Sequence, residues 1–159
     1  MNRIYLSLGS NMNHPEKQLQ QARKEVHQRV GNVLRYSSIY QTAAWGKTDQ
    51  PDFLNQVLIA DTLHTAQEVM QALLDIEKEM GRIRTEKNAP RVIDIDILFY
   101  NHDVICQNDL QVPHPQVPNR RFVLVPLNEL SPGFHHPVSG KSIHQLLLEC
   151  TDPLDVKKF

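Results

Sequence analysis

The 159-residue sequence predicts an α+β fold in which helices pack on a mainly antiparallel sheet. Three observations predict it. Apolar runs of strand length recur at Arg3–Gly9, Asn32–Thr42, Phe53–Leu63 and Ala89–Tyr100. Two stretches between them carry apolar residues at helical spacing. The resulting order is β-α-β-β-α-β, the ferredoxin-like arrangement, which implies helices on one face of the sheet. The remaining third is proline-rich and reads as an elaboration of one domain spanning residues 1–159.

The first helix follows Gly9-Ser10. Asn13 or His14 is placed to cap it and Pro15 suits its first turn, while Leu19, Ala22, Val26 and Val30 form its stripe and Gly31 stops it. The second helix is the best signalled. Thr65 and Glu68 have capping-box spacing, Val69, Leu73, Ile76 and Met80 make the apolar stripe, and Gly81 ends it. Beyond the fourth strand the sequence suggests an extra strand near Val104, a short helix in Arg120–Leu130 broken near Pro126, and a last helix opened by Ser142 with Gln145.

Composition narrows the function. Hydrophobic residues make up 40% and charged residues 22%, with a net charge of -1 and a pI near 6.7. A general nucleic-acid or membrane-surface binder would show a basic excess. No apolar run approaches a membrane span, and the N-terminus reads as a strand rather than a signal peptide, so a cytoplasmic protein is expected. Cys106 and Cys150 form no CxxC pair and read as small reduced core residues. His135 and His136, in a proline-flanked loop, read as surface residues.

The segment APRVIDIDILFY, Ala89–Tyr100, raises the chemical question. Side chains alternate along a strand, so Ile93, Ile95 and Ile97 face one way and Asp94 and Asp96 the other, the two carboxylates roughly 6–7 Å apart. A solvated strand face would show the same pattern. The neighbours favour a polyphosphate site instead. Arg82, Arg84 and Arg91 precede the strand; Arg120 and Arg121 follow near His114. Arginine forks suit phosphate oxygens, and paired carboxylates suit Mg²⁺ bound together with phosphates. Phosphate motifs of other kinds fail: WGKT and SGKS lack the upstream glycine of a P-loop, and LGSNM is a strand-to-helix glycine turn without the dinucleotide fingerprint. The stretch Gln41–Gln56 adds Trp45, Gly46 and, on one strand face, Phe53 and Asn55. A flat apolar ring beside an amide suits a heteroaromatic ligand.

With these residues in hand, the sequence resembles the 6-hydroxymethyl-7,8-dihydropterin pyrophosphokinases of folate biosynthesis. LSLGSNM, YQTAAWGKTDQPDFLN, GRIR, APRVIDIDIL and VPHPQVPNRRFVLVPL carry the resemblance nearly end to end. It implies transfer of the β,γ-diphosphate of ATP to the pterin hydroxymethyl group, with release of AMP. It implies two Mg²⁺ ions on Asp94 and Asp96. Thr42, Trp45, Phe53, Asn55 and Phe122 are implied as pterin contacts, Arg82 and Arg91 as catalytic, and Glu77, Arg84, Ile97, His114 and Arg120 as nucleotide-side residues. Many members have Arg-Trp-Gly-Pro-Arg where this chain has Lys87-Asn88-Ala89-Pro90-Arg91, so their tryptophan is missing here and Lys87 supplies charge without fork geometry. The implied partners are ATP and the hydroxymethyl dihydropterin, with neither nucleic acid nor membrane. Two rivals are a nucleotidyltransferase, whose Gly-Ser and Asp-x-Asp motifs usually lie closer together, and an RNA-recognition module, which needs a basic face.

Overall fold

Strand and helix signals in the sequence set the elements in order. In the computed structural model, which describes residues 1–43, 50–81, 91–107 and 109–159, β1 (Asn2–Ser10) is followed by α1 (Pro15–Arg29), β2 (Asn32–Tyr36), β3 (Tyr40–Thr42), β4 (Phe53–Thr62), α2 (Ala66–Glu79) and β5 (Asp94–Tyr100). The last third adds a hairpin of β6 (Ile105–Gln107) and β7 (Leu110–Val112), a 3-10 turn, α3 (Arg121–Leu130), α4 (Ile143–Glu149) and β8 (Val156–Lys158). The main sheet runs β5-β1-β4-β3-β8, with β2 also paired to β4, and its pairings are antiparallel. This is the ferredoxin-like core that the element order predicts.

The expected second strand is divided at residues 37–39. Ser37 explains the break: its N–H donates to the Val57 carbonyl at 2.9 Å, and its Oγ accepts from the Val57 N–H at 3.0 Å. One side-chain oxygen thus takes the place of a ladder carbonyl, and β2 and β3 meet β4 in separate registers. The capping box of α2 forms in full, Thr65 accepting from Glu68 N–H and Glu68 accepting from Thr65 N–H. At α1, His14 occupies the cap with φ 62° and offers no side-chain bond, leaving Pro15 to open the helix. Ser142 caps α4 through its Oγ, whereas Gln145 turns its amide to Glu149.

Helices cover both faces rather than the one expected. α1 and α2 close one face: Leu19, Val26, Leu73 and Ile76 meet Leu6, Leu8, Leu58, Ile93, Ile95 and Ile97. The C-terminal elaboration closes the other, where Val123, Leu124 and Leu127 of α3 and Ile143 and Leu146 of α4 meet Tyr5, Val57, Ile59, Leu98 and Phe99. α3 is continuous through Pro126 instead of breaking there. Pro126 is buried along with Val123, Leu124 and Leu127 of the same helix, which offsets the helical bond that proline withholds from the Phe122 carbonyl.

A β-bulge joins the two cores. Tyr5 opposes Phe99 but Leu6 opposes Ile97, so Leu98 is the extra residue. Alternation resets there: Ile97 faces the first core, while Leu98 and Phe99 both face the second. Two smaller expectations are corrected. Cys106 is exposed, because it alternates with the inward Ile105 on β6, whereas Cys150 is half-buried and packs against the second core. His136 is buried at an edge of Phe99, its Nδ1 accepting from the N–H groups of Val138 and Ser139, while His135 is exposed as expected.

Candidate active site

The register of three strands builds the site. Asp94, Gly9 and Asn55 lie abreast on β5, β1 and β4; Asp96, Ser7 and Val57 form the next row. All point to the face covered by α3 and α4; Val57 packs beneath those helices, while Asp94, Gly9, Asn55, Asp96 and Ser7 line the end that they leave open. One cavity there is lined by Thr42, Phe53, Asn55, Arg91, Asp94, Asp96, His114, Arg120 and Phe122, with Ser7, Gly9 and Leu98 as its floor.

Gly9 is an ordinary strand residue here, not a turn glycine. Its value is the missing side chain: a Cβ would stand 3.0 Å from Asn55 Oδ1 and 3.9 Å from the Phe53 ring. Strand spacing sets Asp94 and Asn55 roughly 10 Å apart across this bare position. Asn55 is 4% exposed, and among the described residues its Nδ2 has no hydrogen-bond partner. A buried amide donor without a partner costs about 1–3 kcal/mol, so this one is arranged for a ligand acceptor. Phe53 stands opposite Thr42 on β3, which puts both on the pocket face. The Thr42 hydroxyl donates to the Asp155 carbonyl at 3.0 Å.

Asp94 and Asp96 stand two positions apart on the pocket face, as the alternation predicts, while Ile95 and Ile97 are buried on the other. Arg91 Nη1 donates to Asp94 Oδ2 at 3.3 Å. Asn11 fixes the approach of Arg91: its Oδ1 accepts from Arg91 N–H at 2.8 Å, and its own N–H donates to the Arg91 carbonyl at 3.1 Å. The same side chain donates through Nδ2 to Gln50 Oε1 and the Pro51 carbonyl. Among the described residues no three metal-ligating side chains cluster. Two carboxylates on one wall nevertheless suit Mg²⁺, a hard ion that takes one or two carboxylates and completes its shell with water and phosphate oxygens.

His114 is delivered by the bulge, since its N–H donates to the Leu98 carbonyl at 3.0 Å. Burial, and then the charge of Arg120, lower its pKa against the opposing pull of Asp94. Nδ1 accepts from Gln116 N–H at 3.1 Å, leaving Nε2 to carry the proton of the neutral ring. Arg120 lies with its guanidinium carbon 5.7 Å from the Phe122 ring centre. A second cleft adjoins the first behind His114 and Asp96. Met70, Leu73, Ile95, Ile97 and Leu110 give it apolar walls, and Gln111 an amide.

Two expected residues stand elsewhere. Glu77 lines neither cavity; it is 2% exposed, and its Oε2 accepts from the Ile95 N–H at 2.7 Å, securing the edge strand that bears the aspartates. Arg121 turns from the site, its guanidinium donating to the carbonyls of Asp152 and Cys150. Arg82, Arg84 and Trp45 lie outside the described residues. The sequence reading missed Ser7, Gly9 and Asn11. The pairing of LSLGSN with the aspartate strand was the signal that could have found the first two, because β1 is central in a ferredoxin-like sheet.

Paired carboxylates, cationic side chains and an aromatic slot with a waiting amide fit the class of enzymes that pass phosphate-bearing groups to a flat heteroaromatic acceptor. Comparison with known proteins makes this particular. The sequence model of 7,8-dihydro-6-hydroxymethylpterin-pyrophosphokinase (HPPK) matches residues 5–132, and the chain belongs to this family. The 2-amino-4-hydroxy-6-hydroxymethyldihydropteridine pyrophosphokinase of Synechocystis is 41% identical over 149 residues, 92% of this chain and 76% of that protein. The protein of the same name from Aquifex aeolicus is 37% identical, over 93% of this chain and 92% of its own length. The folic acid synthesis protein fol1 of Schizosaccharomyces pombe is 40% identical, and the match spans 94% of this chain but 20% of that one. Among solved structures, HPPK-DHPS in complex with substrates shares the fold with a TM-score of 0.75 at 16% identity, over 93% of this chain and 43% of that one.

Proposed function

We infer that the pocket floored by Gly9 is where this enzyme performs its family's reaction. The chain is an ATP-dependent diphosphotransferase that transfers diphosphate from ATP to 6-hydroxymethyl-7,8-dihydropterin in folate synthesis. The observation that carries the assignment of the site is the buried Asn55 side chain, whose Nδ2 has no hydrogen-bond partner among the described residues, beside a bare glycine in the same row as Asp94.

In this reading the pterin lies between Phe53 and Phe122, its polar edge paired with Asn55 and with the polar groups around Thr42. That orientation turns the hydroxymethyl group toward the aspartates. Asp94 and Asp96 would hold Mg²⁺, which when bound neutralises triphosphate charge and lowers the pKa of a coordinated hydroxyl. The adenine enters the apolar cleft beside Ile97, and His114 lies between the two cavities, its Nε2–H offered to phosphate oxygen. Arg91 and Arg120, with Arg82 and Arg84 from the neighbouring segment, stabilise charge on the transferring and leaving oxygens. The hydroxyl oxygen attacks the β-phosphorus in line. A new P–O bond forms, the bond from the β-phosphorus to the α,β-bridging oxygen breaks, and AMP leaves while the hydroxyl proton passes to solvent. Residues 1–159 act as one domain in this account. No helix among the described residues is long and apolar enough to cross a membrane.

Chromatography of an incubation with ATP, Mg²⁺ and the hydroxymethyl pterin tests the reaction. AMP and pterin diphosphate should appear in equal amounts. ADP, or free diphosphate with a nucleotidylated pterin, would overturn it.

A further inference from the structure

The C-terminal segment lies beyond residues 5–132, which the family's sequence model matches, yet it touches both walls of the aromatic slot. We propose that Asp152 and the strand after it form a strap that positions Thr42 and Phe122 for the pterin, so that acceptor binding depends on the tail while nucleotide binding does not. This rests on the assignment of the pterin to the slot between β3, β4 and α3.

The strap engages α3 at the end that matters. Asp152 is 5% exposed, and its Oδ2 accepts from the Arg121 N–H at 3.0 Å, at the first residue of the helix. Its Oδ1 accepts from the Leu154 N–H at 3.0 Å, so both oxygens are held. A carboxylate on the exposed N–H groups of a helix start is favoured by hydrogen bonding and by the helix dipole. Arg121 returns the contact, Nε to the Asp152 carbonyl at 3.1 Å and Nη2 to the Cys150 carbonyl at 3.0 Å. Phe122 is the next residue, one helix position from this clamp.

The other wall is held two residues further on. β8 pairs with β3 so that Val156 opposes Thr42, and the Thr42 hydroxyl donates to the Asp155 carbonyl. Thr42 in turn opposes Phe53. One short run of chain therefore sets the position of Phe122 and of the strand opposite Phe53. The far end of α3 has its own anchors: Glu129 accepts from the Tyr40 hydroxyl at 2.6 Å, and the Leu130 carbonyl from Arg35 at 2.8 Å. Loss of the strap would thus free the slot end of α3 while leaving the helix docked. The second cleft is lined by residues between Met70 and Pro115, none of them from the tail, and this predicts the selectivity.

The test is titration calorimetry on the full chain and its Asp152→Ala and Arg121→Ala variants. Affinities for the hydroxymethyl pterin, with a non-hydrolysable ATP analogue and Mg²⁺ present, and for the analogue alone are measured well below each melting temperature. The strap predicts pterin affinity lowered about tenfold in each variant, the scale of a lost charge-assisted bond, with analogue affinity within about twofold. Asp152→Asn, which keeps one acceptor oxygen, should recover part of the loss. Equal weakening of both ligands, or no weakening of either, would overturn the strap. Asn55→Ala separates this from the site assignment. If it weakens pterin binding and the tail variants do not, the strap alone fails. If Asn55→Ala leaves pterin binding intact, the slot itself is misassigned.

Discussion

The two faces of the sheet use the same strands for different ends. On β1, Leu6 and Leu8 face α1 and α2, while Ser7 and Gly9 face the pocket; on β4 the division is Leu54 and Leu58 against Phe53 and Asn55. On β5 it is Ile95 and Ile97 against Asp94 and Asp96. The first face is closed mainly with hydrocarbon, and its buried polar side chains on β4, Gln56 and Thr62, are hydrogen-bonded. The second is closed where α3 and α4 cover it and left open at one end, where the polar residues gather. At the open end, packing therefore lies on one side of three strands and chemistry on the other, with a single residue step between them. Substitutions at adjacent positions should therefore have unlike effects.

Asp96→Asn should show the largest. It keeps the side-chain volume and removes the charge that holds the cation, so turnover should fall about 10²-fold or more, with the melting temperature nearly unchanged. Steady-state rates at saturating Mg²⁺ and a melting curve check this, and parent-like turnover would mean that the aspartates only solvate the strand face. Leu8→Ala tests the opposite face one strand over. Leu8 is fully buried, and its truncation should cost about 2–5 kcal/mol in chemical denaturation, while kcat per folded molecule stays close to that of the parent. A large fall in kcat with little change in stability would contradict the division.

Gly9→Ala sharpens it further, because the change is next door and is a single methyl. That methyl meets Asn55 Oδ1 at 3.0 Å, so the amide must shift. We expect the pterin KM to rise about tenfold, in line with other single contacts in a shaped pocket, the ATP KM to hold, and stability to change little. Equal effects on both KM values would argue that the methyl disturbs the sheet and not the slot.

The smallest effect is a slope. The lowered pKa of His114 means that the unfolded chain binds more protons as pH falls below about 6.5. Its stabilising contribution is therefore full above that value and is lost as pH falls through the folded-state pKa. His136, lowered by burial, acts with the same sign. His114→Gln should make the acid-side decline of the melting temperature shallower without abolishing it, and an unchanged decline would remove His114 from the account.

Much of this was legible in the residues. Capping at Thr65 and Glu68, the stripe of α2 and the alternation of β5 are local signals, and each formed as read. The pairing of Phe53 with Asn55 on one face followed from strand period alone. What stayed hidden depends on contacts between distant segments. Nothing near Arg121 says that its guanidinium belongs to residues 150 and 152. Nothing near Glu77 says that its buried carboxylate accepts from the Ile95 N–H. Gly9 looks like a turn glycine until register sets it between Asp94 and Asn55. Pro126 looks like a helix breaker because propensity does not include the burial it shares with Val123, Leu124 and Leu127.

The most direct test of the central claim is a crystal structure of the ternary complex with a non-hydrolysable ATP analogue, the hydroxymethyl pterin and Mn²⁺ in place of Mg²⁺. The account predicts anomalous density for the metal at Asp94 and Asp96, the pterin ring between Phe53 and Phe122, and its polar edge on the Asn55 amide. A pterin seated elsewhere, or metal density away from both aspartates, would contradict it.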